Sequence, residues 1–481
     1  MKEREVQNLI EEIRLRRNEY IASGYGHDTV STPLTDDLAH VECAGLTARR
    51  ARFEYEKGIE RDPIMLSKGK GAFLWDADGL PYIDMGACFA VAAYGHSNPE
   101  LIEALDLQAH KLMHGMVDVY PTDVKVSFLK ALASIAPGNL SGALLSQSGA
   151  EAVETAMKMA QMATGKSRFI AFESSYHGLS YGALSVTGHQ NEFKKPFASR
   201  ICQQTTHVPY ANCLRCAFGR KPEDCEFACL KNIERILKLP SGGADDVAAI
   251  IAEPIQGRGG DIVPPKGWLK ELRELCTRNG VLLILDEIYT GFGRTGELFA
   301  CNRENVVPDI MCLGKAMTGC FPISAAIASP EVLAKWPLNT TEAIHTSTFL
   351  GNPMGCAVGL KALEILQRDN LPQKAAEKGA WILAEFKKLQ KKYPDIIADA
   401  RGAGLMLALE MATPDLTPLT DLALRIVDEM RNRGFILLPS GPWGHIISIA
   451  PPLIIPQACL EAFIGALDET IRTSLLSLKK C

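Results

Sequence analysis

Residues 281–315 read VLLILDEIYTGFGRTGELFACNRENVVPDIMCLGK and contain the two segments that decide the fold. VLLILD (281–286) and DIMCLG (309–314) are short apolar runs that lack the polar alternation of a strand with one face in water. Strands of this kind are buried on both faces, as in parallel sheets covered by helices. Asp286 closes the first run and Lys315 follows the second.

Similar apolar runs occur elsewhere in the chain, and helical patterns alternate with them. They are RFIAF (168–172), VAAIIAE (247–253) and ISAAIAS (323–329). The alternation predicts an α/β fold with a mostly parallel sheet, in which ligands bind beyond the carboxyl ends of the strands. Residues 71–85 alternate on both sides of Asp78-Gly79, which predicts a hairpin.

Changes of pattern divide the chain into four predicted parts. They are an N-terminal helical extension (1–55), the N-terminal part of a small domain (56–98), a large domain (99–350) with a Cys-rich insertion near 209–230, and a C-terminal small domain (351–481).

The composition is ordinary for a soluble globular protein, with 47% hydrophobic and 22% charged residues. A net charge of −5 argues against a nucleic-acid or anionic-membrane partner. The charged start (Met1-Lys2-Glu3-Arg4-Glu5) is unlike a secretory signal. No apolar run reaches the roughly 18 residues that a membrane helix needs. We therefore expect a cytoplasmic protein without a membrane partner.

Asp286 and Lys315 are the first candidates for catalysis. A buried acid at a strand end either caps a nearby loop or binds a cationic group such as a cofactor's ring nitrogen. A lysine after a buried strand is either a solvated surface residue or a desolvated amine with a lowered pKa. Together the two residues are typical of pyridoxal-phosphate enzymes, in which a lysine binds the cofactor and an acid contacts its pyridinium nitrogen.

The segment LSQSGAEAVETAMKMA (145–160) predicts a helix that begins near Ser148. Ser148, Gly149 and Ala150 could present backbone N–H groups to a phosphate at the helix N-terminus. The alternative is a plain Ser N-cap with Glu151 in the first turn.

Two glycine-containing motifs suggest nucleotide binding, and neither fits it. GFGRTG (291–296) matches the dinucleotide pattern, but it starts five residues beyond Asp286 and no helical pattern follows before Pro308. TGKS (164–167) lacks the first glycine of a phosphate loop and follows a helix instead of a strand.

Four of the 14 cysteines form the pattern CxxC-x8-CxxxC: Cys213, Cys216, Cys225 and Cys229. Two close pairs of thiols could form a tetrahedral zinc site. The alternative is a surface insertion with reduced thiols.

From about residue 65 to 475 the chain resembles the class III pyridoxal-phosphate aminotransferases, which have fold type I. The motifs that carry the resemblance are SGAEA (148–152), SYHG (175–178), AEPIQG (252–257), LDEIYTGFGRTG (285–296), PDIMCLGKAMTGCFP (308–322), HTSTFLGNPMGC (345–356) and RGAGLML (401–407). The resemblance implies a large domain with a mostly parallel seven-stranded sheet and a smaller α+β domain built from both chain ends.

The resemblance also implies the roles of individual residues. Lys315 would bind pyridoxal phosphate covalently and later move a proton, and Asp286 would keep the ring nitrogen protonated. The other implied contacts are Tyr176 and His177 at the ring, Ser148, Gly149 and Ala150 at the phosphate, Gln256 with Glu253 near the phenolic oxygen, Thr348 at the phosphate of the neighbouring subunit, and Arg401 at an α-carboxylate.

One position departs from the family pattern. Where many relatives carry a Glu that pairs with the carboxylate-binding arginine, this chain has Arg258, between Gly257 and Gly259. Arg258 cannot neutralise Arg401, so a simple ornithine or 4-aminobutyrate assignment does not follow. Arg258 either binds a second carboxylate or faces solvent.

The sequence therefore predicts an aminotransferase that moves an amino group between an amino compound and a 2-oxoacid. It predicts a homodimer with shared active sites. The alternative is an amino-acid racemase or epimerase, because those enzymes share this fold and cofactor.

Overall fold

The computed structural model describes residues 1–22, 64–202, 204–239, 244–337 and 343–478. Most of the predicted N-terminal extension lies outside this part of the chain, apart from the helix Glu3–Ala22.

Seven strands form the largest sheet in the described part of the chain. Their spatial order is Gly142–Ser146, Ser324–Ala328, Ile310–Leu313, Leu282–Asp286, Val247–Ala252, Arg168–Phe172 and Thr205–Val208. All neighbours are parallel except Ser324–Ala328, which is antiparallel to the strands on both sides of it. Every residue of Val247–Ala252 is buried, as its continuous apolar run requires. The predicted α/β fold with a mostly parallel sheet is confirmed.

Two smaller sheets accompany the large one. The first contains Leu66–Lys70, Phe73–Asp76, Pro81–Asp84 and Phe435–Ile436, and the second contains Ile397–Ala403, Met406–Met411, Ile446–Ile449 and Leu438–Ser440. Phe73–Asp76 and Pro81–Asp84 form the antiparallel hairpin that the alternation around Asp78-Gly79 predicts. Phe435–Ile436 pairs in parallel with Pro81–Asp84, which joins the two ends of the chain in one sheet.

Helices pack around these sheets. Those of six or more residues are Glu3–Ala22, Pro99–Lys111, Asp123–Ile135, Gly149–Thr164, Tyr181–Val186, Ala228–Lys238, Trp268–Arg278, Pro353–Arg368, Leu371–Lys392, Thr420–Asn432 and Gln457–Leu478. Asn98 and Asn352 each accept backbone N–H bonds at a helix start and are each followed by proline, a strong initiation signal. Within the described ranges, none of the helices is both long and apolar enough to span a bilayer.

A close contact fixes the second small sheet to the helix Leu371–Lys392. A Cβ added to Gly379 of this helix would lie 1.9 Å from the carbonyl oxygen of Gly404, so only glycine permits this approach. Gly404 lies in the turn between Ile397–Ala403 and Met406–Met411. The helix therefore holds the hairpin that carries Arg401.

Candidate active site

Lys315 lies just beyond the strand Ile310–Leu313 and opens a single 3₁₀ turn. Its φ of +44° is in the left-handed region, a strained conformation of the kind that recurs at functional sites. Its Nζ lies 4.2 Å from the centroid of the Tyr289 ring. Burial lowers the pKa of Lys315 to about 8, although nearby Asp286 and Glu253 act to raise it. The lowered pKa makes the neutral, nucleophilic form of this amine far more populated near neutral pH than in an ordinary lysine, although the protonated form still predominates at pH 7.

Asp286 is the last residue of its strand, and its buried carboxylate has two fixed partners. One oxygen lies 2.7 Å from His177 Nδ1, and the other accepts the Ile288 backbone N–H at 3.1 Å. The backbone N–H of His177 donates to the Thr187 hydroxyl at 3.0 Å. Nε2 of His177 is buried and has no hydrogen-bond partner among the described residues. His177 thus positions the acid from a site shielded from water.

Glu253 is a buried acid that joins two of the predicted cofactor segments. Its carboxylate accepts the backbone N–H groups of Tyr176 and Gly257, both at 2.9 Å. Burial raises the pKa of Glu253 to about 6. The Gln256 side chain donates to the Glu173 carbonyl at 2.8 Å. The structure therefore brings Tyr176, Glu253 and Gln256 together.

The helix Gly149–Thr164 begins with a complete capping box. The Ser148 hydroxyl accepts the Glu151 backbone N–H at 3.3 Å, and the Glu151 carboxylate accepts the Ser148 backbone N–H at 3.0 Å. The N-cap interpretation of Ser148 is therefore correct. It does not exclude the phosphate interpretation, since the N–H groups of the first helical turn, which include Gly149 and Ala150, have no partner within the helix.

Ile288 connects this helix start to the strand ends. A Cβ on Gly149 would lie 3.0 Å from Ile288, and a Cβ on Gly314 would lie 3.4 Å from it. Gly314 next to Lys315, the fixed Asp286 carboxylate and the N-terminus of the helix Gly149–Thr164 thus all lie beside Ile288. This set fits pyridoxal phosphate, whose aldehyde, ring nitrogen and phosphate need those three partners.

Arg401 lies in the strand Ile397–Ala403. Its guanidinium nitrogens already contact acceptors of the protein itself. Nη1 contacts carboxylate oxygens of Glu410 at 2.8 Å and Asp399 at 3.1 Å. Nη2 and Nε donate to the Gly260 carbonyl at 2.6 and 3.0 Å. The predicted carboxylate-binding arginine is therefore already neutralised by two acids.

Arg258 differs from Arg401 in having no acidic partner. Its guanidinium stacks over the Tyr176 ring at 5.5 Å, and no carboxylate in the described ranges lies within 4 Å of it. The side chain is half-buried. It is an uncompensated cation beside a predicted cofactor residue.

Four residues near the site were not predicted from the sequence: Tyr289, Asp399, Glu410 and Arg215. Tyr289 lies within the quoted motif LDEIYTGFGRTG, so the motif contained the signal for it. Glu410 lies next to Arg401 because their strands pair, and Arg215 reaches it from the Cys-rich segment 209–230.

Thr348 does not join this group. Its side chain is exposed, and its hydroxyl makes no hydrogen bond with another residue of the described chain. The placement leaves it accessible to a second subunit.

The four cysteines of the insertion are free, half-buried thiols. Burial, followed by the effect of the other three thiols, raises the pKa of Cys213 to about 11. However, no three of their sulfurs lie within 4.8 Å of one another; in the described ranges only Asp84, Cys88 and His96 form such a trio. The zinc hypothesis therefore gains no support from this geometry.

Comparisons with known proteins identify the family to which this chain belongs. The family model for aminotransferase class III matches residues 55–471. The acetylornithine aminotransferase of Methanosarcina mazei is 37% identical over 409 residues, which cover 85% of this chain and 92% of the relative. The enzyme of the same name from Methanothermobacter thermautotrophicus is 37% identical over 411 residues, covering 85% and 94%.

The solved structures that resemble this chain include transaminases. An (S)-enantioselective omega-transaminase from Thermomicrobium roseum superposes with a TM-score of 0.82 at 29% identity, covering 92% of this chain and 98% of the other. An amine transaminase from an uncultivated Pseudomonas species, solved in its PLP-bound form, superposes with a TM-score of 0.80 at 29% identity, covering 86% and 96%. The chain thus belongs to the class III aminotransferases, the enzymes that transfer amino groups with pyridoxal phosphate.

Proposed function

We propose that Lys315 binds the cofactor and that the enzyme moves an amino group from an amino compound that carries a carboxylate to a 2-oxoacid. The observation that carries this proposal is the pairing of a half-buried lysine of lowered pKa with a buried aspartate fixed by His177. Pyridoxal phosphate supplies an electron sink for the carbon that loses its proton. The protein must hold the ring charge and move that proton.

Each residue then has a defined task. Lys315 would hold the cofactor through its amine and would move the proton at the substrate carbon. Asp286 would accept a hydrogen bond from the ring nitrogen, and His177 keeps the carboxylate in place. Gly149 and Ala150 would hold the phosphate through backbone N–H groups, with Ser148 as the helix cap. Tyr176 would pack against the ring, and Gln256, held by the segment that Glu253 fixes, would hold the phenolic side.

The substrate proposal draws on the relatives and on charge. Two relatives are named acetylornithine aminotransferase, whose donor has a primary amine at one end and a carboxylate with an acylated amine at the other. Arg258 offers an uncompensated guanidinium for such a carboxylate. We assign Arg258 to the donor carboxylate and Arg401 to the carboxylate of the 2-oxoacid.

A half-reaction test separates aminotransferase from racemase. Enzyme mixed with acetylornithine and no oxoacid is expected to react once, with loss of the visible cofactor band, and then to stop. Adding 2-oxoglutarate should restore the band. Sustained inversion of a single amino acid without any oxoacid would instead identify a racemase.

We propose that the active unit is a homodimer, because an exposed apolar surface lies beside Thr348. The ring of Phe349 lies 5.2 Å from the ring of His114, and Thr346 donates to Asp118 at 2.7 Å, so two segments form one surface. Its exposed apolar side chains are Leu112, Met113, Met116, Val119, Tyr120 and Phe349. An exposed apolar patch of this kind marks an interaction site.

Mixed dimers test the shared site. Lys315→Ala and Thr348→Asp chains should each be inactive, the second because the new carboxylate would repel the phosphate. Refolding them together should restore roughly a quarter of wild-type activity, because half of the dimers would carry one intact site. Thr348→Ser keeps the hydroxyl and should stay active. A fully active monomer in sedimentation would refute the proposal.

A cytoplasmic location stays a prediction from composition. Zinc at Cys213, Cys216, Cys225 and Cys229 also stays a prediction, which the zinc content of the purified protein would decide.

A further inference from the structure

Arg215 lies between the two cysteines of the CxxC pair, on an irregular segment outside the large sheet. Its Nε donates to a Glu410 carboxylate oxygen at 2.6 Å, and its Nη1 donates to the Leu416 carbonyl at 2.7 Å. The guanidinium also lies over the Trp443 ring at 5.3 Å. The segment 209–230 therefore holds the Arg215 guanidinium at a fixed position beside Glu410, Leu416 and Trp443.

Glu410 is shared between Arg215 and Arg401. It is 1% exposed, and its two oxygens are divided between the arginines: one accepts from Arg215 and the other lies 2.8 Å from Arg401. His445 Nε2 lies 3.3 Å from the first oxygen. Burial alone would raise the pKa of Glu410, but His445 and the two guanidinium groups hold it at about 2. Glu410 is therefore anionic at neutral pH.

A substrate carboxylate that binds Arg401 in a bidentate fork through Nη1 must compete with the two acids that contact this nitrogen, of which Glu410 is the nearer, at 2.8 Å. The other donors of Arg401 already point to the Gly260 carbonyl and to Asp399. If Glu410 had Arg401 as its sole cationic partner, displacement would leave a buried charge without compensation, which is strongly unfavourable. Arg215 is a second cationic partner of Glu410, so it would still compensate this charge if Arg401 turned to the substrate.

We propose that Arg215 is a specificity-determining residue: it holds the Glu410 carboxylate while Arg401 exchanges that carboxylate for the one of a 2-oxoacid. Many relatives carry, at the position of Arg258, a Glu that pairs with the carboxylate-binding arginine. In this chain Glu410 would pair with Arg401 instead. The proposal rests on the assignment of Arg401 to the oxoacid carboxylate. Arg215 acts through Glu410 and does not itself contact the reacting atoms.

The test removes the charge of Arg215 and measures two ligands. Arg215→Met should raise the dissociation constant of glutarate, an unreactive dicarboxylate, by about tenfold in calorimetry. It should raise KM for 2-oxoglutarate by a similar factor. The rate of the half-reaction with a simple monoamine, which has no carboxylate, should not change. Arg215→Lys should retain part of the binding, because it keeps the charge but not the fork.

Two further variants identify the mechanism. Glu410→Gln removes the competing anion, so it should restore glutarate binding in the Arg215→Met background and tighten it in the wild type. Arg220→Met alters an exposed arginine on the same segment and serves as the matched control. The cofactor spectrum and Tm of every variant report whether the fold is intact.

The outcomes separate this inference from the function on which it rests. Equal effects of Arg215→Met on the monoamine and on 2-oxoglutarate, or none on either, would overturn the role of Arg215. If Arg215→Met does not fold, a Glu410→Gln variant that binds glutarate no tighter than wild type would overturn it as well. If Arg401→Ala leaves KM for 2-oxoglutarate unchanged, the assignment of Arg401 itself is wrong.

Discussion

Replacing Lys315 with Ala is expected to abolish covalent attachment of the cofactor and to lower turnover by about 10²- to 10⁴-fold, the usual contribution of a positioned proton-transfer group. We expect this loss because the Lys315 side chain is half-buried near Asp286 and Glu253, and desolvation lowers its pKa to about 8. Its position also suits proton transfer, since the short turn that it opens follows the strand beside Asp286.

Borohydride reduction followed by peptide mapping measures the attachment directly. The label should appear on Lys315 in the wild type, and it should be absent from the Lys315→Ala variant. Lys266 is exposed, so Lys266→Ala should keep both the label and the activity. Uptake of cofactor by the apoenzyme should accelerate as pH rises through about 8, because the neutral amine is the reactive form. A label on another lysine would refute the assignment.

The parts of the fold that follow from burial were predictable. Apolar runs such as 247–253 and 281–286 indicated strands buried on both faces, and both lie inside the large sheet. The direction of Ser324–Ala328 was not predictable, because a strand buried on both faces has the same pattern in either direction. The direction of this strand depends on its connections and on how the helices pack.

In the site, residues at strand ends were easier to predict than residues that meet across strands. Asp286 and Lys315 follow their strands directly, and parallel strands bring such ends to one edge. The partnership of Arg401 with Glu410 depends on register: Arg401 lies opposite Ala408, and Asp399 lies opposite Glu410. Diagonal neighbours on one face of a sheet are close enough for long side chains to meet.

Arg215 shows where sequence patterns stop being informative. It lies on a segment without regular secondary structure, so no periodicity indicates which way its side chain points. The cysteines around it suggested a metal site and drew the interpretation away from the arginine between them. Its contact with Glu410 spans 195 residues of sequence, which only the folded chain brings together.

Replacing Asp286 with Asn is expected to lower turnover by about 10²-fold or more, the usual effect of removing one preorganised electrostatic partner. The ionised carboxylate stabilises the proton on the ring nitrogen, and a neutral amide cannot do so. The amide would also disturb the pairing with His177, whose Nδ1 lies 2.7 Å from the Asp286 oxygen. Single-turnover kinetics with acetylornithine would measure the loss, and the absorption spectrum would show that the cofactor is still bound.

The adjacent acid, Glu287, provides the matched control because it is equally buried but has a structural role. Its carboxylate accepts the backbone N–H groups of Ala300 and Cys301 at 3.0 and 2.8 Å and binds the Thr290 hydroxyl. Glu287→Gln should therefore lower the free energy of unfolding by about 1–3 kcal/mol and leave single-turnover rates near wild type. Asp286→Asn should show the opposite pattern, with nearly normal stability and slow turnover. If both variants lose stability and keep their rates, Asp286 is a structural acid and the proton on the ring nitrogen is held by another group.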